Sequence, residues 1–206
     1  MLKIVKPLIL LLTVVTLTAC DNFPETPEEQ KIFLEKAGEQ VAHFYFKDND
    51  HTKLFMKGVI YGYTHRDLTN VLERNPAIKT IVMVEVPGSV DDEVNLKASQ
   101  EIRKRNIATY IPEGGWVASG GTDMFLAGTI RTAHKTAKLG VHSWGDDRGV
   151  ATDYPKDHDS HQKYLSYYQQ MMIPEAFYWY TLHAAPAEDI HWMTAEEIKR
   201  YNVFTE

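Results

Sequence analysis

Runs of apolar residues alternate with amphipathic segments through most of the chain. The clearest apolar run, residues 78–86, is rich in β-branched side chains without regular polar alternation, which predicts a strand buried on both faces. Residues 91–106 open with acidic and close with basic side chains, which is typical of a helix. The same criteria predict strands at residues 54–61, 107–111 and 139–144, and helices at residues 66–74, 119–126, 158–172, 174–183 and from Thr194 onward. This alternation favours an α/β fold with a largely parallel sheet.

The N-terminus has the pattern of a secretory signal peptide. Two lysines precede an apolar run over residues 7–15, and small and hydroxyl-bearing residues follow. Residues 17–20, LTAC, resemble a bacterial lipobox and contain the only cysteine of the chain. We therefore expect cleavage before Cys20, lipid on its thiol, and anchorage in a lipid bilayer at the periplasmic face of the cell envelope. Asp21 favours the inner membrane, and a plain signal peptide with a coincidental cysteine is the alternative.

This pattern divides the chain into segments of different character. The helix that follows the linker is predicted to begin with Thr26 as its N-cap and Pro27 in its first turn, and to run to about residue 46. The predicted segments are a signal peptide at residues 1–19, a lipidated linker at 20–25, an N-terminal helix at 26–48 and an α/β domain at 49–206.

The charge and the cysteine content exclude several classes of function. The net charge is −6, and loss of the two lysines of the signal peptide brings it to −8. An acidic chain lacks the basic surface that a nucleic-acid-binding protein needs, so we expect no nucleic-acid partner. A single cysteine excludes an intramolecular disulfide and a cysteine-based zinc cluster.

Candidate catalytic residues lie where predicted strands end. Gly88 follows the strand at residues 78–86, Ser119 and Gly120 follow a glycine-rich turn, and His142 lies in the strand at residues 139–144. If these strands are neighbours, their ends meet at one edge of the sheet, where the sites of parallel α/β folds lie. Ser119 is then a candidate nucleophile and His142 its base. The N–H groups of Gly88 and Gly120 are candidate donors to an oxyanion. A serine that only caps the following helix is the alternative.

The order of these segments resembles that of the Clp-protease/crotonase superfamily, in its Clp-like serine peptidase branch, which includes small predicted periplasmic proteins. The similarity covers most of residues 54–206. Residues 84–90, VEVPGSV, match the glycine-rich loop of the family with one glycine retained, and residues 118–128 match its A-S-x-G segment without a gap. His142 follows in the next predicted strand, and residues 192–197, WMTAEE, match the start of a late helix.

The resemblance implies a fold and a set of roles. The fold is a crotonase/Clp-like spiral of β-β-α units with a mostly parallel sheet. Ser119 corresponds to the nucleophile and His142 to the general base, and the N–H groups of Gly88 and Gly120 correspond to the oxyanion hole. No metal or organic cofactor is implied, the substrate is a peptide or an acyl compound, and a homo-oligomer is expected.

The orienting acid of a triad is the least well placed of these residues. Asp189 is the candidate, but an ungapped match gives its position to Ile190. The fallback candidates follow His142 in a polar loop and are Asp146, Asp147 and Asp153. An acid that holds the histidine in one tautomer has a large effect on rate, so its identity matters.

Two other groups of residues allow more than one interpretation. His158, Asp159 and His161 have a spacing that suits a divalent metal, but the polar segment around them favours a solvated helix start. The aromatic residues of the last third of the chain favour helix packing against the sheet, with a substrate groove or an oligomer surface as the alternative; they are Tyr164, Tyr167, Tyr168, Phe177, Tyr178, Trp179 and Tyr180.

The sequence therefore predicts a lipid-anchored serine hydrolase of the cell envelope, most simply a peptidase. A catalytically inactive Clp-like protein that binds a peptide or a protein through the same cleft is the alternative, because fold does not determine activity. A hydrolase of esters or acyl thioesters is a further hypothesis.

Overall fold

The structure, a computed structural model, describes Pro24 and residues 26–146 and 149–205. Helices and strands alternate along the chain. The helices are α1 (Pro27–Ala37), α2 (Thr64–Arg74), α3 (Asp92–Lys104), α4 (Gly120–Leu126), α5 (Asp159–Gln170), α6 (Glu175–Ala184) and α7 (Ala195–Arg200), with a 3-10 turn at Ala151–Asp153. The strands are β1 (His43–Tyr45), β2 (Lys53–Lys57), β3 (Thr80–Val86), β4 (Ala108–Ile111), β5 (Trp116–Ala118), β6 (Arg131–Ala133), β7 (Lys138–Val141), β8 (Gly145–Asp146), β9 (Gly149–Val150) and β10 (His191–Trp192).

The main sheet has the order β1-β2-β3-β5-β7-β10, and β4 branches from β3 and pairs in turn with β6. All pairings inside this sheet are parallel except those of the edge strands β1 and β10, which are antiparallel. The first half of β3 pairs with β4 and its end pairs with β5, so the sheet divides at β3. The predicted mixed α/β fold with a mostly parallel sheet is confirmed.

The core lies between one face of this sheet and the helices that connect its strands. Helix α3 packs against both α2 and α4. Alternate side chains of β2 and β3 point into the core and are fully buried there: Leu54, Met56, Ile81 and Met83. Each such side chain contributes about 1.5–3 kcal/mol when it leaves water. This burial fixes the register of the central strands, and hence the positions of their carboxyl ends.

The N-terminal helix is shorter than the sequence predicts. Its capping box is formed, since Thr26 accepts a hydrogen bond from the N–H of Glu29 and the carboxylate of Glu29 accepts one from Thr26. The helix ends at Ala37 because Gly38 adopts a left-handed conformation with φ of 78°. The following residues form β1 rather than two further helical turns, and β1 pairs with β2 in the main sheet.

The aromatic side chains of the last third of the chain pack into the interior, in part against other helices, since the hydroxyls of Tyr164 and Tyr168 donate to Asp92 of α3 and Asp123 of α4. Tyr164, Tyr167, Tyr168, Phe177 and Tyr178 each have 5% or less of their surface exposed. Within the described residues, none of the helices is long and apolar enough to span a membrane.

The prediction of a solvated helix start at residues 158–161 is wrong for one of its residues. His161 is fully buried, and its Nδ1 lies 2.6 Å from the hydroxyl of Tyr178. His158 instead caps α5 by accepting a hydrogen bond from the N–H of Ser160. His161 is therefore buried because it bonds to Tyr178, a residue distant in sequence. In the described part of the chain, no group of His, Cys, Asp or Glu is suited to hold a metal ion.

Candidate active site

The predicted strand ends do lie side by side. Strand β5 lies between β3 and β7 in the sheet, and all three run in the same direction. Val117 of β5 faces Val86 of β3, and Ala118 faces Gly140 of β7. The segments that follow these strands carry Gly88, Ser119 and His142, so the sheet brings all three to one edge.

Ser119 occupies a strained turn between β5 and α4. Its backbone angles are φ 53° and ψ −130°, a combination that costs a non-glycine residue about 1–3 kcal/mol. The turn is held because the N–H of Ser119 donates to the carbonyl of Gly140 at 3.1 Å, and its carbonyl accepts from the N–H of Thr122 at 2.8 Å. A strained serine between a strand and a helix is the geometry of a nucleophile elbow.

The Ser119 hydroxyl does not cap α4. The helix begins directly after Ser119, yet the side chain makes no capping hydrogen bond. The residue is half-buried. The interpretation of Ser119 as a plain helix cap is therefore wrong, and the hydroxyl is free for another role.

Gly88 and Gly120 allow the chain to pack closely around Ser119. A β-carbon at Gly88 would lie 3.4 Å from the Ser119 hydroxyl oxygen, and the residue has φ of 155°. A β-carbon at Gly120 would lie 2.3 Å from Oγ of Ser89, which is too close to be accommodated. Over the described ranges, the N–H groups of Gly88 and Gly120 have no hydrogen-bond acceptor. Both N–H groups are therefore available to an external oxygen.

His142 is oriented by the main chain. Its Nδ1 lies 2.9 Å from the carbonyl oxygen of Ala187. A carbonyl only accepts hydrogen bonds, so Nδ1 carries the proton in this contact and Nε2 of the neutral ring holds a lone pair. This is the tautomer that a general base needs when it acts through Nε2.

Two of the candidate acids, Asp189 and Asp153, make hydrogen bonds other than this contact. Asp189 is exposed, and its carboxylate accepts a hydrogen bond of 2.7 Å from the N–H of Ile190. The carbonyl of Ala187, two residues earlier, thus makes the contact that the sequence analysis assigns to Asp189. Asp153 accepts from the N–H of Val150 at 3.4 Å. Asp147 and the side chain of Asp146 lie outside the described part of the chain, as does Cys20.

The sequence analysis did not identify one carboxyl group that lies close to Ser119 along the chain. Asp123 lies one helical turn after Ser119, and its carboxylate accepts a 2.5 Å hydrogen bond from the hydroxyl of Tyr168. Burial raises the pKa of Asp123 to about 7; the hydrogen bond from Tyr168 lowers it, and the negative charge of Asp92 raises it. The hydroxyl of Tyr164 donates to Asp92 in the same way. The available signal was the spacing of the two tyrosines, which puts them on one face of α5.

A cavity in the described part of the chain lies away from these residues. It has a volume of about 610 Å³, and its lining includes Lys53, Phe55, Val82, Tyr110 and Ile130. None of the candidate catalytic residues lines it.

No family model matches the chain, and no curated protein matches it. Several solved structures are similar in fold. A mutant of the 1510-N membrane-bound stomatin-specific protease is 16% identical, with a TM-score of 0.49 over 73% of this chain and 75% of that chain. An enoyl-CoA hydratase from Bacillus halodurans is 16% identical, with a TM-score of 0.48 over 81% of this chain and 72% of that chain. At these identities the likeness concerns the fold alone.

Proposed function

We propose that the protein is a serine hydrolase in which Ser119 is the nucleophile and His142 the general base. The observation that carries the proposal is the strained backbone of Ser119, with φ of 53°, in a turn whose hydroxyl is not used for capping. Such strain persists only where the surrounding structure enforces it, and it is concentrated at functional sites. The strand that holds this turn, β7, leads directly into His142.

The reaction proceeds by acyl transfer. Nε2 of His142 accepts the proton of the Ser119 hydroxyl while Oγ attacks the acyl carbon of the substrate. The resulting oxyanion accepts hydrogen bonds from the N–H groups of Gly88 and Gly120, each worth about 3 kcal/mol in comparable sites. Collapse of the intermediate transfers the proton from His142 to the leaving group. A water molecule, deprotonated by His142, then releases the acid product and restores Ser119.

The Ala187 carbonyl takes the orienting role in this scheme. It holds the Nδ1 proton and keeps the imidazole in one tautomer, as a carboxylate does in a triad. A carbonyl carries only a partial charge, so it stabilises the imidazolium less than a carboxylate does. We therefore expect a slow hydrolase rather than a fast one.

The substrate class and the location belong to the same proposal. The similarity of residues 84–90 and 118–128 to the Clp-like serine peptidases supports a peptide substrate. The lipobox-like segment at residues 17–20 supports anchorage through Cys20 at the periplasmic face of the inner membrane.

Labelling with a fluorophosphonate probe tests the proposed chemistry. The wild-type protein is expected to react, and mass spectrometry of the labelled peptide should place the adduct on Ser119. Ser119→Ala should not react, whereas Ser143→Ala should react like wild type, because Ser143 lies at the same sheet edge but its hydroxyl donates to the carbonyl of Trp144. Equal labelling of Ser119→Ala and wild type would remove Ser119 from this role.

A binding protein without catalysis is the second candidate. It is favoured by the absence of Asp189 from the His142 contact. The test is complementation of a deletion strain: normal function of the Ser119→Ala protein supports binding, and loss of function supports hydrolysis.

A further inference from the structure

One carbonyl connects the candidate nucleophile to the strand that carries the candidate base. The oxygen of Gly140 accepts two hydrogen bonds, one from the N–H of Ser119 at 3.1 Å and one from the hydroxyl of Thr122 at 2.7 Å. Thr122 is 1% exposed, so water does not compete for its hydroxyl. Gly140 lies in β7, two residues before His142.

Thr122 contacts both sides of the candidate site. Its N–H donates to the carbonyl of Ser119 at 2.8 Å, and its hydroxyl donates to Gly140. Its backbone thus fixes the strained turn, and its side chain fixes that turn against β7. In the described residues no other side-chain donor to the Gly140 carbonyl is present.

Gly140 is closely packed between its neighbours, with no room for a side chain. A β-carbon there would lie 2.5 Å from the side chain of Ile190, 3.0 Å from Ala118 and 3.1 Å from Trp192. Strand β10 also pairs with Gly140 from the other side, through Trp192. The carbonyl of Gly140 therefore belongs to a closely packed, paired strand, and Thr122 bonds the turn at Ser119 to it.

We propose that Thr122 is a positioning residue of this site: its buried hydroxyl bond to Gly140 sets the placement of Ser119 relative to His142. The inference rests on the proposed function. The hydroxyl does not touch the substrate. Without it, one lone pair of the Gly140 carbonyl loses its partner and the first turn of α4 is tied to β7 by the Ser119 N–H alone.

A matched hydrogen bond at the other end of α4 supplies the control. The hydroxyl of Thr109 donates to the carbonyl of Phe125 at 2.7 Å, and Thr109 is also fully buried. Thr109→Val therefore removes a threonine-to-carbonyl bond of equal length from the same helix. It lies remote from Ser119, so it measures the effect of such a loss on stability alone.

The experiment compares the fluorophosphonate labelling kinetics of the two valine variants in the full mature chain. For Thr122→Val the maximal labelling rate constant should fall by at least about 10-fold while the probe's dissociation constant changes by less than about 2-fold, because small misplacements of a nucleophile cost rate rather than binding. Thr122→Ser, which keeps the hydroxyl, should stay within about 3-fold of wild type, and Thr109→Val within about 2-fold. If Thr122→Val does not fold, Thr122→Ala replaces it, and the same fall in the labelling rate constant is expected.

Each remaining outcome contradicts the proposal in a recognisable way. If Thr122→Val labels as fast as Thr109→Val, or if Thr122→Ser is as slow as Thr122→Val, Thr122 is not a positioning residue although the hydrolase proposal stands. If wild type is not labelled at all, the hydrolase proposal fails and the role of Thr122 fails with it.

Discussion

Nδ1 of His142 donates to the main-chain oxygen of Ala187 across 2.9 Å, so among the described residues a carbonyl, not a side chain, holds the imidazole. The donor and acceptor roles are fixed, since a carbonyl has no proton to give. Substitution of a side chain cannot remove this acceptor. In this contact the orientation of His142 depends on the path of the segment before β10 rather than on the carboxylate of Asp189.

Asp189→Asn should accordingly have little effect on labelling. We expect a change of less than about 3-fold, compared with about 10⁴-fold in enzymes whose aspartate holds the histidine. His142→Gln should reduce the labelling rate by at least about 100-fold, because general-base assistance is then lost. A large loss in Asp189→Asn with an intact fold by circular dichroism would show that the carboxylate reaches His142 during the reaction.

Gly88→Ala should block the site by steric contact. The new methyl group would lie 3.4 Å from the Ser119 hydroxyl oxygen and 3.1 Å from its β-carbon, in the space that the acyl group must enter. We expect labelling to fall by at least about 10-fold, since the N–H of Gly88 is also displaced from an oxyanion.

Gly114→Ala is the matched control for this substitution. Gly114 also has a positive φ, 68°, but nothing lies within 4 Å of its β-carbon position. Both alanine variants carry a strained backbone, and both should lose about 1 kcal/mol of stability. Only Gly88→Ala should lose labelling; equal labelling of the two variants would exclude a site beside Gly88.

The common sheet edge of the three candidate residues could be predicted in part, because it depends on strand order. The apolar run at residues 78–86 and the glycine-rich turns after it identify parallel strands, and parallel strands end at one edge of the sheet. Hydrophobic periodicity predicts the strands, but Gly88, Ser119 and His142 come together only if those strands are neighbours, and the structure meets that condition. The contact of His142 with Ala187 was not predictable, because every residue has a main-chain carbonyl and none marks this one in the sequence.

The other differences between prediction and structure also come from distant partners. The N-terminal helix ends at Gly38, a residue type that commonly ends helices, yet the apolar residues beyond it suggested continuation. Residues 43–45 instead form β1, which pairs with β2. His161 lies in a polar segment, but the hydroxyl of Tyr178 satisfies its Nδ1 in the interior. Local pattern carries no information about either partner.

Ser119→Gly should relieve the backbone strain at position 119 and so raise the free energy of unfolding, although it removes the nucleophile. Glycine tolerates φ of 53°, whereas alanine keeps the β-carbon and hence the strain. We expect Ser119→Gly to be more stable than Ser119→Ala by about 1 kcal/mol in urea unfolding, and both to be unreactive with the probe. Met172→Gly is the control, because Met172 also has a positive φ, 55°, but is 78% exposed in a loop. It should gain stability and keep its labelling; a Ser119→Gly protein less stable than Ser119→Ala would contradict the strain argument.

The buried carboxyl of Asp123 should make folding stability depend on pH. Its pKa is raised to about 7 in the folded state, chiefly by burial, whereas the ordinary value for an aspartate is 3.8. Between these values the unfolded chain releases the proton and the folded chain retains it, so stability falls as pH rises towards 7 and is constant above. The variant Asp123→Asn keeps an acceptor for the Tyr168 hydroxyl but does not titrate.

The difference in unfolding free energy between Asp123→Asn and wild type should therefore grow with pH. We expect it to shift in favour of the variant by about 2–3 kcal/mol between pH 5 and pH 8, because each pKa unit corresponds to 1.36 kcal/mol. Urea unfolding at intervals of one pH unit measures it. Asp153→Asn, at an exposed position, shows whether the loss of any carboxylate has the same effect. A difference for Asp123→Asn that is flat across this range would mean that Asp123 is ionised in the folded protein, with the Tyr168 hydrogen bond outweighing burial.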